Sequence, residues 1–365
     1  MAGSSPSRSG RNPMPPGAIL RQLRQGAVIP AHPLALTPRR RLDERRQRAL
    51  TRYYLASGAG GVAIGVHTTQ FEIHDPKIGL FQPVLELGAE TIAEARTARQ
   101  RRFIRIAGVS GPTRHAVAEA VLAADLGYHA AMISFRDLRR APLARLVARA
   151  HAIAQVMPIV GFYLQPAVGG RILPRGFWHR LLEIDNLVAI KVAPFDRYQT
   201  LEVARAVWEI GRAGDVALYT GNDDHIILDL LTAYRFAPRQ APVRMVGGLL
   251  GQWAVWTRRA VAHWKACSRA SSSRRRTIPK PLLELAAQLT DANAAIFDAA
   301  HGFRGSIPGI HEVLRRQGLL GGRWCLDPGC ELSPGQRAEI DRVHQAYPHL
   351  TDDRFVAAHR DEWLR

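Results

Sequence analysis

From Gly26 to about Leu250 the chain alternates short apolar runs with longer stretches of helical period, a pattern that few folds accept. An apolar strand, an amphipathic helix and another apolar strand build parallel pairs joined by right-handed crossovers. The candidate strands are residues 27–36, 61–66, 103–109, 130–135, 158–164, 187–192, 216–220 and 243–250. Between them, stretches such as 43–56, 113–126, 142–156, 198–210 and 226–234 carry apolar residues at helical spacing. Eight such units predict an α/β fold, a closed (β/α)8 TIM barrel, which typically uses about 250 residues. An open doubly wound sheet is the competitor, and the regularity of the eight units favours closure.

More helix follows the repeat. Residues 252–270 read as helical, 271–276 as a polar loop, and 281–289, 293–301 and 309–317 as further helices. A last piece, 333–364, holds two amphipathic segments around Tyr347-Pro348. These helices are expected outside the barrel or against a neighbouring subunit. The plan is then a disordered tail over 1–17, a barrel over 18–270 and a C-terminal helical region over 271–365. The tail is Ser, Gly, Pro and Arg with no apolar stretch, so it does not read as a secretory signal.

Composition narrows the partners. With 47% apolar and 22% charged residues among 365, the chain is a folded protein rather than a disordered or collagen-like one. Its net charge of +19 raises nucleic acid or an anionic membrane as a partner. Placement argues against both: the arginines are spread along the chain beside acids, as in Arg40-Arg41-Leu42-Asp43-Glu44-Arg45-Arg46, and read as solvated helix faces. Of the 50 basic side chains only four are lysines, Lys77, Lys191, Lys265 and Lys280, which leaves 46 arginines. Three cysteines, Cys267, Cys325 and Cys330, and no apolar run long enough to span a bilayer point to a reducing, cytoplasmic setting.

Barrel enzymes build their sites at the C-terminal ends of the strands. The sixth strand reads Leu187-Val188-Ala189-Ile190-Lys191-Val192-Ala193. A chain so rich in arginine keeps lysine here, and lysine is required only where an amine must lose its proton. An ordinary lysine is neutral in about one molecule in 2,500 at pH 7, and an apolar pocket favours the free amine, which can attack a ketone and form a Schiff base. A snorkelling or salt-bridged lysine is the plainer alternative. Tyr163, at the end of the fifth strand, precedes Lys191 by 28 residues, about one βα unit. It is either a proton relay or a core tyrosine with its hydroxyl at the rim. The second strand runs into His67-Thr68-Thr69-Gln70, whose hydroxyls and amides can hold a carboxylate or can be ordinary loop groups. His67 is a candidate second-substrate contact or acid–base group, against a plain polar loop residue.

Together these features resemble the dihydrodipicolinate synthase/N-acetylneuraminate lyase family of class I aldolases, over roughly residues 20 to 320. The resemblance includes Tyr219-Thr220-Gly221-Asn222-Asp223-Asp224, which is similar to that family's Gly-x-Asp stretch. It implies Lys191 as the Schiff-base lysine for pyruvate or another 2-oxo acid, and Tyr163, in a Tyr-x-x-Pro setting with Pro166, as the proton relay. It implies Thr68 and Thr69 as the residues that hold the substrate carboxylate and orient the tyrosine. The implied activity is aldol addition, retro-aldol cleavage or dehydration, with no cofactor and no metal. The implied partners are a 2-oxo acid, an aldehyde or sugar acid, and further copies of the chain. A non-catalytic barrel that binds a 2-oxo acid or a protein partner is the alternative.

The departures point away from lysine biosynthesis. His67-Thr68-Thr69-Gln70-Phe71 replaces Gly-Thr-Thr-Gly-Glu, Leu164 stands for the usual Asn, and Val168 stands for the arginine that meets the second substrate's carboxylate, with Arg171 close but off register. The fourth strand ends Ile133-Ser134-Phe135-Arg136, without the tyrosine that a neighbouring subunit lends.

Other signals carry less. The string Gly58-Ala59-Gly60-Gly61-Val62-Ala63 runs from helix to strand, the reverse of a dinucleotide fingerprint. Gly247, with Gly248 at the end of the eighth strand, serves either a substrate phosphate or close packing. His311-Glu312 does not complete H-E-x-x-H, because Arg315 takes the last place. Cys325 and Cys330 lack a second pair and read as free or structural thiols.

Overall fold

A computed structural model describes residues 12–95, 102–273 and 277–365. Eight parallel strands follow one another around a single sheet: β1 (Val28–Pro30), β2 (Gly61–Ile64), β3 (Ile104–Val109), β4 (Ala130–Ile133), β5 (Ile159–Leu164), β6 (Leu187–Ala193), β7 (Ala217–Thr220) and β8 (Met245–Leu250). β1 pairs with β8, and the parallel bridge Ala31–Ala63 with the bond from His32 N to Ala63 O brings β1 back to β2. The fold is the (β/α)8 barrel with additional C-terminal helices. Its first strand is shorter than expected, because Pro33 follows Ala31-His32 and donates no ladder bond. Leu34, Ala35 and Leu36 are buried in the outer apolar layer instead, where Gln47 Oε1 accepts from Ala35 N at 2.7 Å.

The helices are α1 (Gly17–Gln25), α2 (Glu44–Ser57), α3 (Phe81–Glu94), α4 (Thr113–Asp125), α5 (Leu143–Ala154), α6 (Arg175–Leu182), α7 (Arg197–Glu209), α8 (Ile226–Leu231), α9 (Thr257–Ser272), α10 (Lys280–Ile296), α11 (Ser306–Arg316), α12 (Gln336–Ala346) and α13 (Asp353–Trp363). Local chemistry sets their ends. Asp43 caps α2 by accepting from Arg46 N, and Gly58, at φ 88°, ends it in the left-handed conformation. The segments expected over 281–289 and 293–301 are largely one helix, α10. Thr290 does not break it: its hydroxyl lies 2.8 Å from Asp224 O and 3.0 Å from Ala286 O, one turn back in the helix, and donates to these acceptors rather than to a local turn.

Of the expected tail, residues 1–11 lie outside the described residues, as do residues 274–276 of the polar run. Residues 12–16 are held rather than loose: Asn186 Nδ2 donates to Pro13 O at 3.0 Å, and Pro15 is buried. Behind them α1 stops the bottom of the barrel, where Ile19 and Leu23 join Ile29, Ala63 and Ala217 in the interior and Tyr219 Oη donates to Leu23 O at 2.9 Å.

The C-terminal helices do more than cover the outside. α10 packs on α8 and α12, and α13 packs on α2. The turn between α10 and α11 reaches the open end of the barrel, where Phe297, Phe303 and Ser306 face the interior. Among the described residues no helix is long and apolar enough to cross a membrane.

Candidate active site

Side chains alternate across a strand, and on β6 that alternation places Lys191 inside. Ala189 and Ala193 share its face in the barrel interior, while Ile190 and Val192 face the helices. Lys191 is 7% exposed, and its Nζ lies 4.6 Å from the centroid of the Phe162 ring. Burial lowers its pKa to about 8, against an opposing pull from the Asp223 charge. Lys77, Lys265 and Lys280 are exposed. The free-amine chemistry read from the sequence therefore has one buried lysine to serve it.

Tyr163 is not brought to Lys191. Ile159 pairs with Leu187, a spacing of 28, but the register shifts at the next residue, and Val160 pairs with Ala189, a spacing of 29. Phe162 is consequently the residue across from Lys191, and Tyr163 points outward. Its ring packs on Trp178 at 5.2 Å, its hydroxyl donates to Gln199 Oε1 at 2.6 Å, and the hydroxyl accepts from Leu173 N at 3.2 Å. This tyrosine ties the sheet to α6 and α7, and the expected relay is absent from its place.

The two threonines divide. Thr68 lines the cavity around Lys191, its hydroxyl 3.4 Å from His32 O. Thr69 lies behind it: its hydroxyl donates to His32 O at 2.7 Å and accepts from Gly65 N and Val66 N at 3.0 and 3.2 Å. Its proton goes to His32 O after β1 and its lone pairs to the turn after β2, so it has none left for a substrate carboxylate. His67 stands at the junction between the cavity and the groove outside it. Burial, then the Lys191 and Arg136 charges, lower its pKa to about 4, which keeps its imidazole neutral at pH 7.

Gly247 is not at the rim. A Cβ there would stand 2.3 Å from Ala27 O and 2.9 Å from Tyr219 Cε1, so this glycine serves close packing of β8 on β1 near the bottom. The glycines that do border the cavity are Gly221 and Gly251. A Cβ on Gly221 would come within 2.7 Å of Lys191 Cε, and one on Gly251 within 3.0 Å of Phe297 Cε1.

The reading from sequence also missed Asp223, Gln165, Phe195, Phe297 and Phe303, all of which line the cavity. Asp223 had a visible signal, since it follows the seventh strand in the segment Gly221-Asn222-Asp223. The phenylalanines had none. Phe195 and Phe303 meet edge to face with centroids 5.4 Å apart, and both hold left-handed backbone, φ 55° and 67°. Such conformations cost of order 1–3 kcal/mol each and gather where surrounding structure enforces them. Arg171 is not available to the site: its guanidinium donates to Leu138 O and Ala141 O.

The inner cavity is small, about 40 Å³, and opens past His67, Val168, Phe303 and Ser306 into a groove of about 740 Å³. Arg136, Arg139 and Arg304 border this groove. Among the described residues no group of three or more His, Cys, Asp and Glu side chains is arranged to hold a metal ion.

No family model matches the chain, and no curated protein matches it by sequence. Solved structures share its fold. A dihydrodipicolinate synthase from Oceanobacillus iheyensis is 18% identical, with 91% of this chain and 99% of that one covered and a TM-score of 0.70. YagE from E. coli K12, a prophage protein of the dihydrodipicolinic acid synthase family in complex with pyruvate, is 16% identical over 88% of this chain and 98% of its own, with a TM-score of 0.72. The N-acetylneuraminate lyase from Fusobacterium nucleatum complexed with pyruvate is 15% identical over 89% and 98%, with a TM-score of 0.68. The barrel and its extra helices thus have the architecture of these lyase and synthase structures.

Proposed function

We propose that this chain is a divergent class I lyase or aldolase of the dihydrodipicolinate synthase/N-acetylneuraminate lyase kind, in which Lys191 forms a Schiff base with pyruvate or a related 2-oxo acid. The observation that carries this reading is the buried Lys191 amine, at the mouth of the barrel in a mostly apolar cavity, with its pKa lowered to about 8. At pH 7–8 a substantial fraction of that amine is free to add to a ketone. Loss of water gives a protonated imine, which withdraws electrons from C3 and permits C–C bond formation or cleavage. Thr68 faces the cavity with a hydroxyl for the substrate carboxylate, and the small inner volume suits the short 2-oxo acid. An aldehyde or sugar-acid portion extends into the outer groove.

Borohydride reduction in the presence of pyruvate or 2-oxobutyrate tests the reading. The expected product is a stable adduct on Lys191, absent in Lys191→Arg, whose guanidinium stays protonated. A label on Lys77, Lys265 or Lys280, or turnover by Lys191→Arg, overturns it. A second reading, a barrel that binds a 2-oxo acid without turning it over, is favoured by Phe162 standing where a relay would be useful. Adduct formation without turnover of any aldehyde or sugar acid would select it.

A further inference from the structure

A Schiff-base site must move protons, and the register shift in β5 has removed the phenol that would do so. The side chains that line the cavity with Lys191 are mostly incapable of it. Phe162, Phe195, Phe297, Phe303, Val66, Leu164 and Val168 carry no exchangeable proton, and Thr68 and Gln165 do not titrate near neutral pH. His67 and Asp223 are the remaining titratable groups on that wall. We propose that Asp223 is the acid–base residue of this site, carrying protons to and from the Lys191 adduct; the proposal rests on the Schiff-base reading above.

The geometry of the β7 turn supports it. Gly221 lies against the lysine stem, where its missing Cβ leaves room for Lys191 Cε. Asn222 locks the next peptide, with Oδ1 accepting from Phe195 N at 3.0 Å and Nδ2 donating to Asp229 Oδ2 at 2.9 Å. Asp223 is then fixed from two further elements. Gln252 N, after β8, donates to its Oδ1 at 2.9 Å, and Asn293 Nδ2, on α10, donates to its main-chain oxygen at 2.5 Å. A carboxylate held by Gln252 N, on a backbone that Asn293 and Asn222 fix, lines the same cavity as the nucleophile and is preorganised for proton transfer. Burial pushes its pKa up to about 7, with Asp224 adding to the rise and the Gln252 bond and Lys191 opposing it. His67 is held far below neutrality, so its imidazole has little capacity to donate.

The protons balance as follows. The Lys191 ammonium gives one proton to the Asp223 carboxylate, and the free amine adds to the ketone carbon as the C=O π pair moves to oxygen. The Asp223 carboxylic acid protonates that oxyanion, and its carboxylate takes a proton back from the nitrogen, which leaves a neutral carbinolamine and Asp223 protonated. In the carbinolamine, the Asp223 carboxylic acid protonates the hydroxyl, the C–O bond breaks to release water, and the nitrogen lone pair forms the C=N bond of the iminium. The carboxylate left beside that cation then takes a proton from C3. The C–H electron pair becomes the C2=C3 bond of the enamine, and the C=N electrons return to nitrogen.

Two readouts on the full chain test this: the rate of borohydride-trappable adduct formation with pyruvate, and deuterium exchange into pyruvate C3 from heavy water. Asp223→Asn is expected to reach the same final extent of trapping on Lys191, but to slow adduct formation and C3 exchange by about 10²- to 10⁴-fold. Asp223→Glu should recover part of the exchange, and His67→Gln should slow it far less than Asp223→Asn does. A pairing partner that merely tunes Lys191 would instead move the pH profile of trapping and leave exchange at its best pH unchanged. Exchange by Asp223→Asn at the parent rate, or loss of exchange in His67→Gln alone, overturns the proposal. If Asp223→Asn does not fold, Asp223→Ala takes its place: slowed C3 exchange with adduct still trapped on Lys191 supports the proposal, and exchange at the parent rate sinks it. A parent protein that gives no adduct on Lys191 refutes the Schiff-base reading itself, whatever the Asp223 variants do.

Discussion

Phe162 pairs with Lys191 across the β5–β6 ladder, and Tyr163, one residue later, faces the other side of the sheet. Tyr163→Phe should therefore change the rate of Lys191 trapping by less than about threefold. It should lower stability by about 1–3 kcal/mol, because the buried Leu173 N–H and Gln199 side chain lose their partner. Trapping kinetics beside a thermal melt check both halves. A large loss of trapping with an unchanged melt would mean that the hydroxyl reaches the site.

Gly221→Ala should damage the site and lower stability as well. The added methyl would sit 2.7 Å from both Lys191 Cε and Ala193 Cβ; the lysine stem can turn away, whereas the Ala193 contact is relieved only by a backbone shift. A displacement of the nucleophile by about 1 Å costs on the order of 10²-fold in rate. The measurement is trapping rate at saturating pyruvate, with Gly214→Ala, where a Cβ meets nothing within 4 Å, as the control.

Arg136→Ala should weaken the second substrate rather than the 2-oxo acid. Arg136 lies over the Phe71 ring at 5.2 Å and borders the outer groove with Arg139 and Arg304. KM for acceptors with a carboxylate or phosphate at the far end should rise about tenfold at low salt. The difference should shrink by 1 M salt, where exposed charges are screened within about 3 Å. Pyruvate trapping should not move. Equal KM for charged and uncharged acceptors in both proteins would refute this.

Stability should fall on acidification, beginning near pH 6.5. His32 and His311 are buried, and burial lowers each pKa to about 4. Between about pH 6.5 and 4 the unfolded chain binds protons that the folded chain does not, so each histidine removes about 1.4 kcal/mol per pH unit across that window and nothing above it. Glu312 adds to the loss at lower pH. Burial raises its carboxyl, but Arg315, Arg316 and Arg323 more than offset this and leave it at about 2, so its contribution disappears as pH falls below about 4.5. Asp223, raised to about 7, acts the other way and offsets about one histidine over the same window, so urea unfolding from pH 8 to 4 should show a plateau followed by a decline of reduced slope, shallower by a further proton or so in His32→Asn.

The barrel was legible because its two periods are written plainly: apolar runs such as 187–192 have no room for polar faces, and Asp43 and Gly58 punctuate α2 chemically. Lys191 was legible for a related reason, as a lone cation in such a run. Tyr163 was misplaced because the register shift between Ile159 and Val160 adds one residue to the spacing, and nothing in two adjacent aromatics says which of them faces inward. Gly247 was misplaced because a glycine near a strand end has the same appearance whether it admits a ligand or a neighbouring backbone. Phe297 and Phe303 were invisible in role, since they reach the cavity from outside the eightfold repeat.

That last arrangement affects how the protein is made. Phe297 follows Lys191 by 106 residues, so at about 5–20 residues per second the lysine leaves the ribosome roughly 5–20 s before the segment that closes over it. During that interval Lys191 has no cover from Phe297 or Phe303. The cavity is therefore completed late, by a turn that a barrel ending after α9 would lack. A chain shortened to that point would keep Lys191 and lose the Phe297 and Phe303 wall that covers it.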